Sequence, residues 1–579
     1  MRYSRRRFIQ DFSAVGIGLP GIGSWLERSI SAEDETPLLY FDAFTEIGPR
    51  QVTHSLEQTS LSELLEELNF CSISGALVAS TLSLSYDAHF SNLKLSKTLA
   101  PYPNLSAIWN LFPPETGEFP DLDTLGDLLR QHQVRAVSIH PGSNAWDWRA
   151  DYCQDFFNWL SDQQVLLIIT DYSELGDWRD VDLFLSQYPE LAVFLRHISW
   201  AAQRFVIPLV RQHKNLHICF DTFQINEGPE YFYEENLTSQ ILFASNAPTM
   251  SAGAHRTLID YARIPREAKE QMAGGNLLRL LGRSQRPEMK ENEDSDILVR
   301  AAQRGLPLPL PVLDMHMHML HEGLNGAGRH YRMRNGGPKG VFSLVSDLGY
   351  AGGGIMSWDG VVSQDAKSGN ETTRLALDAA PPGYWGLGTF DPTQFSQAEM
   401  EQMIHRVYRD SRFIGMKPYL MYGVEYHDPS YDIWWEYGNK NQFYGLLHNA
   451  RKDLMETDVL ASRYPNVRWL VAHAGSSFSM AQKTIELMHK YPNVYAEITY
   501  TSLPLGAIEY LAEQGDENRI VYGSDLPMRD PRPQLGWVIY SRLPLGVKQK
   551  ILAANALKVI QPCLGRLPES NRPTVSIKK

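Results

Sequence analysis

The chain repeats itself over an interval the size of a whole domain, and no other feature constrains its fold as tightly. Near the end of each half an apolar run enters a turn of Ser, then Asn or Asp, then Pro two residues on: Ile241-Leu242-Phe243-Ala244-Ser245-Asn246-Ala247-Pro248 and Ile520-Val521-Tyr522-Gly523-Ser524-Asp525-Leu526-Pro527. Asn246 and Asp525 are 279 residues apart, and the same offset relates Gly274-Gly275-Asn276-Leu277-Leu278 to Ala553-Ala554-Asn555-Ala556-Leu557. Further back, Ser138-Ile139-His140-Pro141 stands beside Gly415-Met416-Lys417-Pro418 at an offset of 277, and the runs around Asp42 and Asp314 at 272. A drift of a few residues is what loop insertions produce. Solenoid periods are ~20 to 50 residues, so this interval signals duplication of a complete unit.

Within each half, short apolar or β-branched runs such as Val165 to Ile169 and Trp469 to Ala472 alternate with amphipathic stretches such as Ala481 to Lys490. That alternation reads as βα units around a parallel sheet. An α/β barrel takes about 250 residues, so two fill the 579-residue chain. The expectation is an α/β protein of two tandem (β/α)₈ TIM-type barrels, a degenerate one over 38–285 and a metal-binding one over 311–561. A charged, proline-bearing linker over 286–310 joins them, and a tail runs over 562–579.

Composition narrows the function. With 43% hydrophobic and 21% charged residues the chain is globular material, and a net charge of −13 argues against nucleic acid as a partner. A small-molecule substrate is expected, with the two barrels packing against each other within the chain; the oligomeric state is not legible. Cys71, Cys153, Cys219 and Cys563 lack the close pairing of a zinc ribbon or a redox motif and read as buried or incidental, although spacing leaves a disulfide between distant members open. At the N-terminus, Ser4-Arg5-Arg6-Arg7-Phe8-Ile9 precedes an apolar stretch from Phe12 to Leu26 that ends near Ser29, Ser31 and Ala32. This resembles a twin-arginine export signal over 1–32 and implies an exported, extracytoplasmic protein. The apolar run is too short and glycine-rich for a stable membrane span.

The chemistry concentrates in the second half. Asp314-Met315-His316-Met317-His318 follows an apolar run, so His316 and His318 sit two apart near a strand end and face the same side, fit to grip one divalent ion. His448, His473 and Asp525 each end a further apolar run. In a barrel all strand ends open on one mouth, so these five side chains converge, whereas each alone has a structural explanation as a buried histidine or a helix cap.

With those residues in view, the second half resembles the amidohydrolase superfamily, in the amidohydrolase-related branch that includes aminocarboxymuconate-semialdehyde decarboxylase. The resemblance covers nearly all of Pro311 to Gln561. It implies His316, His318, His448 and Asp525 as metal ligands, and His473 nearer to substrate and water. The implied cofactor is one divalent ion, zinc, with Mn²⁺, Fe²⁺ and Co²⁺ as alternatives. Lys417 occupies the strand-four position at which other branches carry a carbamylated lysine between two metals, so a binuclear site stays open. A divalent ion so held lowers the pKa of water towards ~7 and polarises a carbonyl. Asp525 is expected to take and return the proton while His473 steadies the oxyanion. Hydrolysis of an amide, lactone or ester fits this apparatus; decarboxylation of a small carboxylic acid is the alternative, and a non-catalytic binding protein the second one. Arg329, His330, Arg332 and Arg334 read either as a carboxylate-binding loop or as a solvated one, and Trp434, Trp435 and Tyr437 as pocket wall or core.

Carrying the same positions to the first half gives Phe44 and Glu46 for the paired histidines, Thr170 for His448, Asn246 for Asp525 and His140 for Lys417, with only His197 matching His473. Phenylalanine binds no metal, and threonine or a neutral amide is a poor substitute for imidazole or carboxylate. The first barrel therefore reads as non-catalytic.

Overall fold

A computed structural model of the protein describes residues 36–50, 54–283, 292, 295–326, 331–448 and 453–575. The export-signal stretch lies outside these. The chain divides into two compact units, one built on Pro37–Ser295 with Gly328–Arg332, the other mainly on Asp296–Ala327 and Met333–Lys579.

The first unit holds seven parallel strands in sequential order: β1 (Tyr40–Ile47), β2 (Ile73–Ser80), β3 (Leu105–Asn110), β4 (Ala136–Ile139), β5 (Leu166–Ile169), β6 (Val193–Leu195) and β7 (Leu216–Ile218). The segment at Ile241–Ala247 takes the eighth place: Leu242 N donates to Ile218 O at 2.9 Å and Ala43 N to Phe243 O at 2.8 Å. The second unit holds eight parallel strands, again in order: β8 (Val312–Met319), β9 (Tyr350–Ser357), β10 (Tyr384–Gly388), β11 (Phe413–Met416), β12 (Tyr444–Leu447), β13 (Arg468–Val471), β14 (Val494–Glu497) and β15 (Ile520–Val521). Its seam closes when Met315 N donates to Tyr522 O at 3.0 Å and His318 N to Leu526 O at 2.6 Å. Both units are (β/α)₈-type barrels.

Local sequence explains the elements. Every residue of β8 is buried, as expected of a parallel strand covered on both faces. The helix Phe478–Lys490 starts where Ser477 Oγ accepts from Met480 N at 3.1 Å, and it buries Phe478, Ala481, Ile485 and Met488, one stripe at helical spacing. The helix Gln397–Val407 opens with a capping box between Ser396 and Glu399 and buries Met400 and Ile404. Gly349, at φ 91°, ends the helix Pro338–Leu348 in the left-handed conformation that glycine adopts freely.

The structure refines two readings. The expected linker contains a helix, Ile297–Gln303, because the charged run stops at Asp296, which caps five apolar residues in the next six positions and meets Lys548 Nζ at 2.7 Å. Trp434 and Trp435 belong to the core: both are buried, stacked at 4.7 Å and 18°, with their indole N–H groups on Tyr408 Oη and Tyr426 O. All four cysteines are buried and free.

The two units reuse the same polar clamps. Asn215 Nδ2 donates to the carbonyls of Leu185, Tyr188 and Leu191; Asn493 Nδ2, 278 residues on, donates to those of Ala461, Tyr464 and Val467 at 3.3, 3.4 and 3.0 Å. Asn276 and Asn555 likewise each hold two carbonyls at 2.8 Å. An asparagine in this place satisfies carbonyls freed where a helix ends and the chain turns into the next strand. Asn493→Leu keeps the approximate volume but strands those carbonyls, so it should lower stability by about 1 to 3 kcal/mol, read as a lower urea midpoint for the second barrel's transition with an unchanged slope.

Candidate metal centre

The hydrogen bonds that close the second barrel also build its site. Asp314 Oδ1 accepts from His316 N at 2.9 Å and from Ser524 N at 3.1 Å, and Asp525 N donates to His316 O at 2.7 Å. These bonds fix the register between the first strand and the turn after the last. His318 Nε2 then lies 3.3 Å and His316 Nε2 3.5 Å from Asp525 Oδ1. His316, His318 and Asp525 are all buried, with their ligand atoms within 4.8 Å of one another.

The other expected residues arrive from neighbouring strand ends. Lys417, directly after β11, places Nζ 3.4 Å from His316 Nε2. His448 follows β12, and its Nδ1 lies 3.3 Å from His473 Nε2, from the turn after β13. His316 and His473 have ring centroids 5.5 Å apart. All six residues singled out in the sequence are thus brought together at one end of the sheet. Of the basic loop, Arg329 and His330 lie outside the described residues and Arg332 falls within the first compact unit.

Four contributors were not anticipated: Glu497, Thr499, Tyr500 and Arg529. Glu497, at the end of β14, is fully buried; its Oε2 faces His316 Nδ1 at 3.2 Å and accepts His473 N at 3.3 Å, and its Oε1 accepts from Thr499 N at 2.7 Å and from the Thr499 hydroxyl. Thr499 O takes a hydrogen bond from His473 Nδ1 at 2.7 Å. Arg529 Nη2 pairs with Asp525 Oδ2 at 3.1 Å, and its guanidinium lies 5.8 Å from the Tyr500 ring centre. The signal available for Glu497 was the strand-end rule that found the histidines; an acidic residue ending Val494-Tyr495-Ala496 satisfies it.

Electrostatics follow from burial. Burial pushes His316 and His448 far below the ordinary histidine range, with Lys417 adding to the effect on both, and lowers His318. Burial likewise pushes His473 down to about 4 and Lys417 down to about 8. Burial alone would raise Asp525, but His316, Arg529 and His318 outweigh it and hold the carboxyl well below its usual range. Burial raises Glu497, against the pull of His473 and Thr499. The imidazoles are therefore neutral near pH 7 and Asp525 is charged.

This donor set fits a divalent ion. Glu497 is already an acceptor for two backbone amides, so His316 carries its proton on Nδ1 and turns the lone pair of Nε2 towards Asp525 Oδ1. A lone pair and a carboxylate facing each other at 3.5 Å call for a cation between them. Neutral imidazoles with carboxylate oxygen are what zinc and other divalent ions take, and the carboxylate behind His316 orients the ring, as partners behind metal-bound histidines commonly do.

Fold and site together define a metal-binding (β/α)₈ enzyme. The amidohydrolase family model matches residues 313–561, the span of the second barrel. No curated protein matches the chain. Similar solved structures include 5-carboxyvanillate decarboxylase from Sphingomonas paucimobilis, at 13% identity and TM-score 0.35 over 43% of this chain and 99% of that one. They include a 2,6-dihydroxybenzoate decarboxylase from Rhizobium, at 12% identity and TM-score 0.32 over 42% of this chain and 98% of that one. A probable 2-pyrone-4,6-dicarboxylic acid hydrolase from Acinetobacter baumannii matches at 12% identity and TM-score 0.32 over 42% of this chain and 99% of that one.

Metal analysis tests the centre. The purified protein should carry one divalent ion per chain, and His316→Ala with His318→Ala should abolish it. Glu497→Gln, which keeps the side chain's size but weakens the hold on His316 Nδ1, should lower metal affinity by about 10- to 100-fold in a competition titration against a chromophoric chelator.

Proposed function

We propose that the second barrel is a hydrolase that opens an amide, lactone or ester bond of a small molecule, with one divalent ion, zinc, held by His316, His318, His448 and Asp525. Such an ion supplies an acidified water and a polarised carbonyl. The observation that carries the reading is the tautomer of His473. A carbonyl cannot donate, so the 2.7 Å contact with Thr499 O fixes the proton on Nδ1 and leaves Nε2 as the ring's acceptor, with His448 Nδ1 3.3 Å away. Burial keeps the ring neutral down to about pH 4. An unprotonated Nε2 can accept a proton, which hydrolysis requires of a group beside the attacking water; decarboxylation instead requires a donor to the carbon left behind. On this reading His473 is the proton acceptor, where an oxyanion donor was expected. Asp525 would be among the residues that hold the ion, and Arg529 pairs with its Oδ2.

Two further readings complete the proposal. The first barrel is a duplicate that has lost catalysis: Phe44, Glu46, Thr170 and Asn246 stand where His316, His318, His448 and Asp525 do in the second. The paired arginines at Arg5 and Arg6 direct export by the twin-arginine route, and changing both to lysine should retain the protein in the cytoplasm on fractionation; unchanged export would remove the assignment.

Screening the metal-loaded protein against lactones, amides, esters and aromatic carboxylic acids, with carbon dioxide release followed alongside, separates hydrolysis from decarboxylation. Asp525→Asn keeps the side chain's size and removes the charge that helps hold the ion. Turnover of the hydrolysed substrate should fall by at least about a hundredfold at saturating metal, with the melting curve of the metal-free protein little changed. Near-normal turnover would remove Asp525 from the mechanism, and failure to fold would make its role structural.

A further inference from the structure

Arg529, like Lys417, is a charged group at the centre that neither the ion nor the proton transfer uses. It is 4% exposed, and of its three guanidinium nitrogens only Nη2 is paired, to Asp525 Oδ2 at 3.1 Å. Nε and Nη1 are buried and have no hydrogen-bond partner among the described residues. A buried guanidinium with two unmet donors is unfavourable, since each unmet donor leaves its desolvation uncompensated. Buried cations are retained where something completes them.

Its surroundings say what that something is. Asp525 is the carboxylate in contact with Arg529, and it is shared with two imidazoles through Oδ1. An ion bound at Oδ1 draws on the same charge and leaves the guanidinium less well compensated. Lys417 Nζ, 3.4 Å from His316 Nε2, adds a second cation, whereas Glu497 is taken up by His316, His473 and Thr499. Over the guanidinium lies Tyr500, 37% exposed, whose ring centroid is also 5.8 Å from that of His473. Tyr500 is thus the side chain that covers both the anion-deficient arginine and the proton acceptor, and it faces outwards.

We propose that Arg529 anchors a carboxylate of the substrate, which enters beneath Tyr500 and completes the guanidinium, so that the substrate class is small carboxylate-bearing amides, lactones or esters. This rests on the hydrolase reading above and adds the substrate's charge to it. The anchor lies on the Asp525 side of the centre, so it orients the scissile carbonyl between the ion-binding group and Nε2 of His473. Charge-assisted hydrogen bonds are the stronger kind, and a guanidinium suits a planar carboxylate.

The test uses the zinc-loaded full-length protein with phthalate as the probe and phthalamide as its neutral counterpart, by isothermal titration. Phthalate should bind the wild type and phthalamide should bind far more weakly. Arg529→Gln should raise the phthalate Kd by about tenfold or more and Arg529→Lys should recover part of it, with zinc content held at one per chain in all three. An unchanged phthalate Kd in Arg529→Gln, or no phthalate binding to the wild type, would overturn the anchor. Loss of zinc in Arg529→Gln would overturn it too, by making the arginine a support for Asp525. If Arg529 governs phthalate binding while the screen yields decarboxylation, the anchor stands and the hydrolase reading falls.

Discussion

The site depends on one buried carboxylate that is not part of the metal group. Asp314 Oδ1 receives the amides of His316 and Ser524 and so locks the first strand of the second barrel to the turn after the last. Burial pushes its carboxyl far above the usual carboxylate range, and the amides of His316 and Ser524 occupy its Oδ1. Side chains alternate faces along a strand, so a slip of one residue at this seam would turn His316 and His318 away from Asp525 together. The metal group is therefore a consequence of barrel closure, and its geometry is as rigid as that closure.

The first barrel has the same clamp with different chemistry above it. Asp42 Oδ1 accepts from Phe44 N at 3.0 Å and from Ser245 N at 3.2 Å, and Asn246 N donates to Phe44 O at 3.1 Å, the bonds made by Asp314, His316, Ser524 and Asp525 in the second. On that scaffold the interior holds an arginine and an aspartate in place of the metal-ligand group. Arg196 lies 3.6 Å over the Phe44 ring and pairs with Asp221 at 3.0 Å, and although burial opposes it, Arg196 leads the neighbours that hold Asp221 down at about 2. A guanidinium close over an aromatic ring gains cation–π attraction, while Arg196 Nε and Nη1, like those of Arg529, have no hydrogen-bond partner among the described residues. Scaffold and site are separable: the fold fixes where side chains meet, and their identity fixes what they do.

What the sequence made legible follows the same division. The repeat and the strand-end positions of His316, His318, Lys417, His448, His473 and Asp525 could be read directly, because strands and their terminal residues leave a period and a punctuation in the chain. Glu497 ends a strand and met the same rule, although its partner His316 is 181 residues away; Thr499 and Arg529 could not be read, since their roles are relations to residues 26 and 4 positions away. Nothing local distinguishes Arg529 from any other arginine near a helix start. The helix Ile297–Gln303 was hidden for the opposite reason: the prolines after it and the charges before it dominate the composition of the stretch.

His473 and Asp525 both take the left-handed conformation, at φ 63° and 59°. Such residues cluster at functional sites, where strain can be part of the mechanism, and that is the first explanation to weigh. It fails on comparison, because His197 and Asn246 hold φ 47° and 62° at the matching turns of a barrel without the metal group. The turn, not the ion, demands the conformation: the chain must leave a strand and double back while its amide still reaches the neighbouring strand, as Asn246 N does to Phe44 O and Asp525 N to His316 O. Asn, Asp and His are the residues other than glycine that tolerate this region best. That preference limits which residues can replace a metal-binding Asp or His without loss of the fold. It accounts for asparagine at 246 and histidine at 197, at the turns that match those of Asp525 and His473. At Phe44 and Glu46, on an ordinary strand, no such restriction applies, and there the side chains are unrelated to His316 and His318.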